Sequence, residues 1–423
     1  MIRFYNGRVL TMNGEPGDLK VTEDEVWVEG SAIAYVGPPK PEKPRFAREI
    51  DLKGDLLMPG FKNAHAHTAM TFLRSYADDV PLQTWLFENV IPLEGKLDPE
   101  AIGLFTKLGI LEYLTSGITA SFDMYYLRDP YVQANLDFGF RTCICGGSAA
   151  YSLISAEYRK FNAIDPLIRY IPGIHAEYTV TQEELEAVRQ LCRENKAPCF
   201  AHNSETKREV AECRERRAGL SPTQFMDSFG LFDYGGGGFH CIWLDEADLD
   251  IFARRGLWAV TCPGSNAKLA SGVAPLREFM ERDIHLALGT DGAASNNALD
   301  MFREMYLACV MQKLRQEDAA ACPAGRILEA ACKGGALAMG LTDCDCIAPG
   351  KQADLIVVNL SRPNMRPLHH IPHNLVYSGS KENVRLTMIA GRILYENGEF
   401  FVGEDPERLY AQAEDKVRRM LSA

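Results

Sequence analysis

Two hydrophobic patterns divide this chain into a middle and two similar ends. Residues 1–56 and 346–423 hold short runs that alternate apolar and polar positions between glycine and proline, such as ADLIVVNL and MIAGRILY. This period-two alternation is typical of strands and hairpins. We expect both ends to form one small β-sandwich domain, with a C-terminal helix over residues 405–421.

The middle of the chain alternates short β-rich runs with stretches of helical periodicity. Strands that alternate with helices predict a parallel sheet, and eight of them predict a closed (β/α)8 TIM-type barrel over residues 57–345. The predicted fold class is therefore α/β, with catalytic groups gathered at the C-terminal strand ends. The eight predicted strands are residues 57–65, 118–124, 141–146, 170–175, 198–202, 238–242, 257–262 and 284–290.

The net charge and the cysteine content indicate which binding partners and which cellular compartment to expect. Lys and Arg number 45 and Asp and Glu number 57, giving a net charge of −12, which argues against nucleic acid as a partner. The first residues show no long apolar segment after a basic start, and no stretch reaches about 18 consecutive apolar residues, so we expect neither a signal peptide nor a membrane span. The twelve cysteines, without a C-x-x-C pair, are expected to be reduced thiols in a cytoplasmic protein.

Histidines concentrate where the barrel would place its chemistry. His65 and His67 end the first predicted strand and, two residues apart, point to the same face. Such a pair can hold a metal, although it also occurs at strand ends that bind none. In total, five of the nine histidines fall at or beside predicted C-terminal strand ends, namely His65, His67, His175, His202 and His240.

Carboxylates accompany these histidines. Glu205 follows His202 closely, where it could move protons beside a metal without binding the metal. Asp291 lies in the turn GTDG after the eighth predicted strand, where it is a candidate metal ligand and general base. Taken alone, Asp291 could equally be a turn or helix-capping residue. The joint pattern of histidine and aspartate at four of the eight strand ends favours the metal site.

Four stretches closely resemble the amidohydrolase superfamily: MPGFKNAHAHTAMTFLRSYADD, AHNSET, SNAKLASGVAPL and LGTDGAASNN. The most similar branch contains deaminases of adenosine, S-adenosylhomocysteine and methylthioadenosine, and is related to triazine hydrolases. The resemblance implies that His65, His67, His202 and Asp291 hold one divalent metal. Zinc fits these ligands best, and iron, nickel or manganese would also accept them. A second metal would need a lysine at the end of strand four, where this chain has His175.

The resemblance also implies a hydrolytic mechanism that releases ammonia. The metal would supply hydroxide from water near neutral pH. Asp291 would take the water proton, His240 would hydrogen-bond the water, and Glu205 would protonate a ring nitrogen. The amine would then leave from a purine-type ring.

Substrate contacts follow from the same resemblance. Trp85 and Glu94 lie in LQTWLFENVIPLEGKL, which resembles the segment that covers the pocket, and the matching glutamate binds ribose hydroxyls. His175 matches a substrate contact, although the usual P-H-A-P-Y reads IHAEY here. Gly146 stands where homocysteine-accepting relatives carry an arginine. The chain is therefore expected to deaminate adenosine, 5′-deoxyadenosine or methylthioadenosine rather than S-adenosylhomocysteine.

Other interpretations stay open at this point. The enzyme could deaminate or dechlorinate another heterocycle, such as guanine, a pterin or a triazine, or it could open a ring by amide hydrolysis. A barrel that only binds or assembles is a third possibility. The substrate would be a small molecule in each enzymatic case, and the resemblance implies a homo-oligomer. The four glycines at 235–238 lack a following Lys-Ser/Thr, so we interpret them as a flexible lead into strand six.

Overall fold

The structure, a computed structural model, describes residues 1–81, 84–147 and 149–422. Its N-terminal part consists of short strands joined by turns. These strands are β1 (Ile2–Tyr5), β2 (Arg8–Leu10), β3 (Val21–Thr22), β4 (Glu25–Glu29), β5 (Ala32–Gly37), β6 (Arg48–Asp51) and β7 (Leu56–Pro59). Four of them form one sheet in the order β5-β4-β1-β6.

The middle of the chain contributes eight strands that pair in parallel. They are β8 (Phe61–Ala66), β9 (Ile118–Asp123), β10 (Arg141–Gly146), β11 (Ile168–Pro172), β12 (Cys199–Asn203), β13 (Gly236–His240), β14 (Trp258–Thr261) and β15 (His285–Leu288). One four-stranded sheet has the order β11-β10-β9-β8 and the other the order β12-β13-β14-β15. Their side chains are almost entirely buried, as expected for parallel strands covered on both faces.

Hydrogen bonds cross between these two sheets where their edges adjoin. At one junction the Ile174 N–H donates to the Phe200 carbonyl (3.0 Å) and the His202 N–H donates to the His175 carbonyl (2.8 Å). At the other, the Asp291 N–H donates to the carbonyl of His65 (2.9 Å). The C-terminal ends of β8, β12 and β15 therefore lie close together.

The C-terminal strands are β16 (Leu355–Val358), β17 (Val384–Ile389), β18 (Arg392–Glu396) and β19 (Glu399–Phe400). They join N-terminal strands in a seven-stranded sheet with the order β19-β18-β17-β16-β7-β2-β3. At its centre β16 pairs antiparallel with β7, with Leu57 opposite Val357. The two ends of the chain thus share one sheet.

Helices follow most of the parallel strands. Several begin at capping boxes, such as Thr181 with Glu184, in which each side chain accepts from the other residue's backbone N–H. The α-helices are Ile91–Glu94, Pro99–Thr115, Arg128–Phe138, Tyr151–Ile164, Gln182–Asn195, Lys207–Arg216, Pro222–Phe229, Glu246–Arg255, Pro263–Lys268, Leu276–Glu281, Ala293–Asn296, Met301–Gln316, Ala324–Glu329, Gly335–Ala338, Ile371–Tyr377 and Pro406–Ser422. Short 3₁₀ and π turns are Thr68–Leu73, Trp85–Val90, Glu177–Thr179, Ala330–Gly334, Pro363–Met365 and Lys381–Asn383.

The C-terminal helix Pro406–Ser422 packs on Pro99–Thr115. Its buried side chains include Leu409, Ala413 and Met420, and Lys416 donates to Asp98 (2.7 Å) at the start of the partner helix. This helix therefore contacts the middle part of the chain.

A buried ionic cluster joins the shared sheet to the parallel strands. The Asp354 carboxylate, just before β16, accepts from Arg141 Nε (2.7 Å) and lies 3.5 Å from Lys62 Nζ. All three side chains are at most 1% exposed. Although burial alone would raise the pKa of Asp354, Arg141 and Lys62 lower it to about 2. A charge this deeply buried is tolerated only when it is paired.

Two expectations about strands need correction. The stretch 57–65 is two strands rather than one, because the chain turns at Gly60 from the shared sheet (β7) into the parallel sheet (β8). Three of the four glycines at 235–238 lie inside β13 and do not form a lead to it. A Cβ on Gly236, whose φ is +119°, would lie 1.8 Å from the Cys199 carbonyl oxygen, so close strand approach requires glycine there.

All twelve cysteines are buried and unpaired. Among the described residues, no helix has both the length and the apolar character needed to cross a membrane.

Candidate metal centre and active site

Five side chains meet at the C-terminal ends of the parallel strands. His65 belongs to β8, His67 follows it, His202 belongs to β12, His240 ends β13, and Asp291 follows β15. The ligand atoms of His65, His202 and His240 all lie within 4.8 Å of one another, as do those of His65, His67 and Asp291. Residues far apart in sequence therefore converge on one point.

Framework hydrogen bonds orient three of the four rings. Nδ1 of His67 contacts the Met124 carbonyl (2.6 Å), Nδ1 of His202 contacts the His175 carbonyl (2.7 Å), and Nδ1 of His240 contacts Asn266 Oδ1 (2.8 Å). Because a carbonyl oxygen only accepts, each Nδ1 must carry the proton. The lone pair on Nε2 of His67 and of His202 is then free to face the centre, whereas His240 can donate from Nε2 when its ring is protonated.

Asp291 is held from both sides. Its Oδ2 accepts from Ser265 Oγ (2.6 Å) and Ser295 Oγ (2.9 Å), while its Oδ1 lies 3.3 Å from His67 Nε2 and 3.6 Å from His65 Nε2. The backbone of Asp291 has φ +61° and that of His240 has φ +68°.

The protonation states suit cation binding. Burial and the neighbouring imidazoles lower the pKa of His65 and of His202 well below the usual value, so both rings are neutral near pH 7. Burial alone would raise the pKa of Asp291, but the charges of His67 and His240 lower it to about 2. The centre therefore presents the neutral imidazoles of His65 and His202 and the ionised carboxylate of Asp291.

The surroundings of the His65 ring show that these residues fit a metal ion. Its side chain is fully buried and stacks on Phe239, yet neither ring nitrogen has a hydrogen-bond partner among residues 1–81, 84–147 and 149–422. A buried polar nitrogen without a partner is costly, and coordination to an ion would remove that cost. Three imidazoles and one carboxylate, two of the rings oriented by backbone carbonyls, are a donor set that zinc accepts.

Glu205 lies beside His240 at the edge of this centre. Its Oε2 is 3.9 Å from His240 Nε2, and its Oε1 accepts from Ser271 Oγ (3.1 Å). Burial alone would lower the pKa of His240, but the negative charges of Glu205 and Asp291 raise it above the usual value. Glu205 is partly exposed, so it can reach a bound molecule.

The segment that holds Trp85 and Glu94 lies next to the centre. Residues 82 and 83 of this segment are outside the described part of the chain. Trp85 is 8% exposed and belongs to the apolar core. Glu94 Oε1 accepts from Tyr125 Oη (2.7 Å). Burial raises the pKa of Glu94, while the hydrogen bond from Tyr125 and the charge of His67 oppose that shift.

The structure shows the surroundings of His175 and Gly146, the two positions at which the sequence departs from its relatives. The His175 ring is exposed, packs against His202 with ring centroids 4.5 Å apart, and contacts Thr179 Oγ1 (3.1 Å). A Cβ on Gly146 would lie 2.4 Å from the Tyr170 ring, so a side chain there would have to displace that ring.

Sequence reasoning missed the residues that support the centre. Ser265, Ser295 and Asn266 orient Asp291 and His240, and Tyr125 holds Glu94. Ser265 and Asn266 lie in the stretch SNAKLASG, so a motif marked the region but did not indicate these roles. Tyr125 had no signal other than its place just after β9.

Histidines and a carboxylate converging at the C-terminal ends of parallel strands are typical of metal-dependent hydrolases with a TIM-barrel-type fold. Residues 56–394 match the Amidohydrolase family. The chain therefore belongs to that family, and the predicted resemblance is confirmed.

Individual relatives place the chain within the family. It is 38% identical to a 5-methylthioadenosine/S-adenosylhomocysteine deaminase of Pelotomaculum thermopropionicum, over 100% of this chain and 99% of the relative. It is also 38% identical to a 5′-deoxyadenosine deaminase of Methanothermobacter thermautotrophicus, over 84% of this chain and 86% of the relative. A zinc-bound adenosine deaminase from Xanthomonas campestris superposes with a TM-score of 0.93 at 33% identity, covering 100% of this chain and 99% of that one.

Proposed function

We propose that the protein is a metal-dependent hydrolase that removes the exocyclic amine of an adenine nucleoside and releases ammonia. The observation that carries this proposal is that the ligand atoms of His67, His202 and Asp291 each lie within 4.8 Å of a His65 ring nitrogen. The family and its deaminase-named relatives support a hydrolase that acts on carbon–nitrogen bonds.

The four converging residues would hold one divalent ion, zinc in the first instance, with iron, nickel or manganese as further candidates. Such an ion lowers the pKa of a water molecule towards about 7, which supplies a hydroxide nucleophile near neutral pH. Residue 175, which follows the fourth parallel strand β11, is histidine rather than lysine. This supports a single ion.

Three side chains beside the ion, those of Asp291, Glu205 and His240, would transfer protons or donate hydrogen bonds during the reaction. Asp291 is ionised and accepts the proton that the water loses. Glu205 donates a proton to the ring nitrogen beside the amine-bearing carbon, which makes that carbon electrophilic. His240, fixed by Asn266, donates a hydrogen bond to the attacking oxygen and stabilises the charge that develops there. The amine would then take the proton held by Asp291 and leave as ammonia, while the new hydroxyl would return a proton to Glu205, so that an oxo ring remains.

The substrate would lie between the centre and the segment that carries Trp85 and Glu94. Tyr125 donates to one oxygen of Glu94, which leaves the other for the ribose hydroxyls. Trp85 would line the pocket, and the exposed ring of His175 would contact the substrate.

An uncharged 5′ group fits this chain better than an amino acid. Gly146 replaces the arginine that would bind a homocysteine carboxylate, and the Tyr170 ring fills the adjoining space. The nearby Arg128 already pairs with Glu157 (2.8 Å). Adenosine, 5′-deoxyadenosine and methylthioadenosine are therefore the expected substrates, and S-adenosylhomocysteine is disfavoured.

We further propose the architecture around this site. The eight parallel strands would close into a (β/α)8 barrel over residues 57–345, supported by the hydrogen bonds at both sheet junctions. Residues 1–56 and 346–423 would form the β-sandwich domain, and the protein would act as a homo-oligomer.

A substrate panel tests the proposal. Ammonia release would be measured from adenosine, 2′-deoxyadenosine, 5′-deoxyadenosine, methylthioadenosine, S-adenosylhomocysteine and guanine, together with the metal content of the protein. We expect the highest kcat/KM among the ribonucleosides with an uncharged 5′ group. Preference for guanine would indicate a free-base deaminase, and turnover without ammonia would indicate a ring-opening hydrolase.

A further inference from the structure

The loop between β11 and the helix Gln182–Asn195 contains a carboxylate that the proposed reaction does not use. Glu177 stands in IHAEY, at the position of the second proline in the P-H-A-P-Y motif of similar sequences. Its side chain is completely buried, and it accepts from Arg216 Nη2 (2.7 Å) and Arg217 Nε (2.6 Å). Burial alone would raise the pKa of Glu177, but these two hydrogen bonds lower it below its usual value. The loop is thus fixed by a buried, charged clamp.

This loop also holds one ring of the metal centre. The His175 carbonyl accepts both the backbone N–H of His202 (2.8 Å) and the Nδ1–H of its ring (2.7 Å). A shift of the His175 peptide would therefore turn the ring of His202 away from the centre. Glu177 is two residues further along the same loop.

The clamp connects this loop to the segment that carries the proposed acid. Arg216 ends the helix Lys207–Arg216 and Arg217 caps it, while Glu205 and the capping residue Thr206 precede its first turn. At that first turn Glu209 accepts the backbone N–H groups of Ser204 (3.0 Å) and Glu205 (2.7 Å). One helix therefore contacts both loops that flank His202.

We propose that Glu177 is a positioning residue that, through Arg216 and Arg217, fixes the His175 peptide and with it the orientation of His202. The inference rests on the metal centre of the proposed function, because it assigns His202 as a ligand. Glu177 replaces the conformational constraint of proline with two ion pairs. Arg216 and Arg217 keep 39% and 26% of their side chains exposed, so they stay solvated when the pairs are lost.

The test measures zinc affinity and thermal unfolding of the metal-free protein for Glu177→Gln. We expect zinc affinity to fall about 10-fold or more, as for other residues that orient ligands, whereas the Tm of the metal-free protein stays within about 3 °C. The double variant R216Q/R217Q should show the same loss. Adding Glu177→Gln to it should cause no further loss, because all three residues act through one clamp.

Arg214→Gln is the matched control, since Arg214 lies on the same helix and pairs with Asp245 at the surface. Its zinc affinity should equal that of the unchanged protein. Zinc affinity within twofold of the unchanged protein for both Glu177→Gln and R216Q/R217Q would overturn the proposal, as would additive losses in the combined variant. If Glu177→Gln fails to fold, the single variants Arg216→Gln and Arg217→Gln decide, because each keeps one cation beside the buried carboxylate. A loss of zinc affinity in both supports the proposal, and an affinity within twofold of the unchanged protein in both overturns it. Failure of the unchanged protein to bind zinc would instead refute the metal centre itself.

Discussion

At the scale of single residues, the centre is built from side chains that each use one atom for the framework and offer another to the site. His67, His202 and His240 use Nδ1 in this way, and Asp291 uses Oδ2. Such second contacts fix ring orientation before any ligand arrives, so little entropy is lost on binding. Glu205 and Glu94 follow the same rule with Ser271 and Tyr125.

Glu205→Gln isolates the proposed proton donor. The amide keeps the shape and the contact with Ser271 but cannot supply a proton at neutral pH. We expect kcat with adenosine to fall about 10²–10⁴-fold, with metal content unchanged. Ammonia assays and elemental analysis check both parts, and a variant with more than a tenth of the original kcat would exclude Glu205 as the donor.

Glu94→Gln tests the ribose contact. Hydrogen bonds to a charged acceptor contribute about 1.5–3 kcal/mol, so kcat/KM for adenosine should fall about 10–150-fold. The loss should be smaller for 2′-deoxyadenosine, which lacks one hydroxyl of the diol. Equal losses for the two substrates would show that Glu94 does not recognise the diol.

At the scale of elements, the short helix Pro263–Lys268 organises one side of the centre. It presents Ser265 to Asp291 and Asn266 to His240, and its first turn is anchored by Glu304, which accepts the Gly264 N–H (2.7 Å). A rigid short helix serves two functional groups because neighbouring residues at its start point in different directions.

Asn266→Ala should lower kcat about 10–100-fold while leaving metal content unchanged, because the His240 ring loses the acceptor that orients it. Asn266→Asp keeps an acceptor and should retain clearly more activity. Steady-state kinetics of the two variants provide the comparison. Identical losses for the alanine and aspartate variants would mean that orientation of His240 does not limit the reaction.

Elements also show how far sequence reasoning reaches. Apolar runs located all eight parallel strands, and the histidines at their ends were found because the period of a strand fixes which side chains share a face. The break at Gly60 was missed, because β7 and β8 form one continuous apolar run although they belong to different sheets. The contacts of Ser265 and Glu177 were missed because they join segments that only the tertiary fold brings together.

At the scale of the whole molecule, the Lys62–Asp354–Arg141 cluster connects the shared terminal sheet to the parallel strands. Lys62 lies three residues before His65 on β8, so this cluster and the metal centre occupy opposite ends of one strand. Tertiary pairing of three charges from distant segments leaves no local pattern, and the cluster could not be predicted from the sequence.

Asp354→Asn should destabilise the protein by about 3–5 kcal/mol, because it leaves two buried cations without their counterion. Since the folded pKa of Asp354 is about 2 and the unfolded value is about 3.9, its contribution is complete above pH 5 and disappears as the pH falls towards 2. Urea unfolding at pH 7 and at pH 3 would measure both effects, with the exposed Asp343→Asn as a control. A difference between wild type and variant that does not shrink on acidification would contradict this assignment.

The position of Asp354 in the chain has a consequence for biosynthesis. A ribosome adds Lys62 and Arg141 long before it adds residue 354, so a nascent chain carries both cations without their counterion while residues 142–353 are synthesised. The ion pair between Lys62 of β8 and Asp354 can therefore form only after residue 354 has been made. A truncated product that ends before β16 would lack the counterion of Lys62 and Arg141 and should be less stable than the full chain.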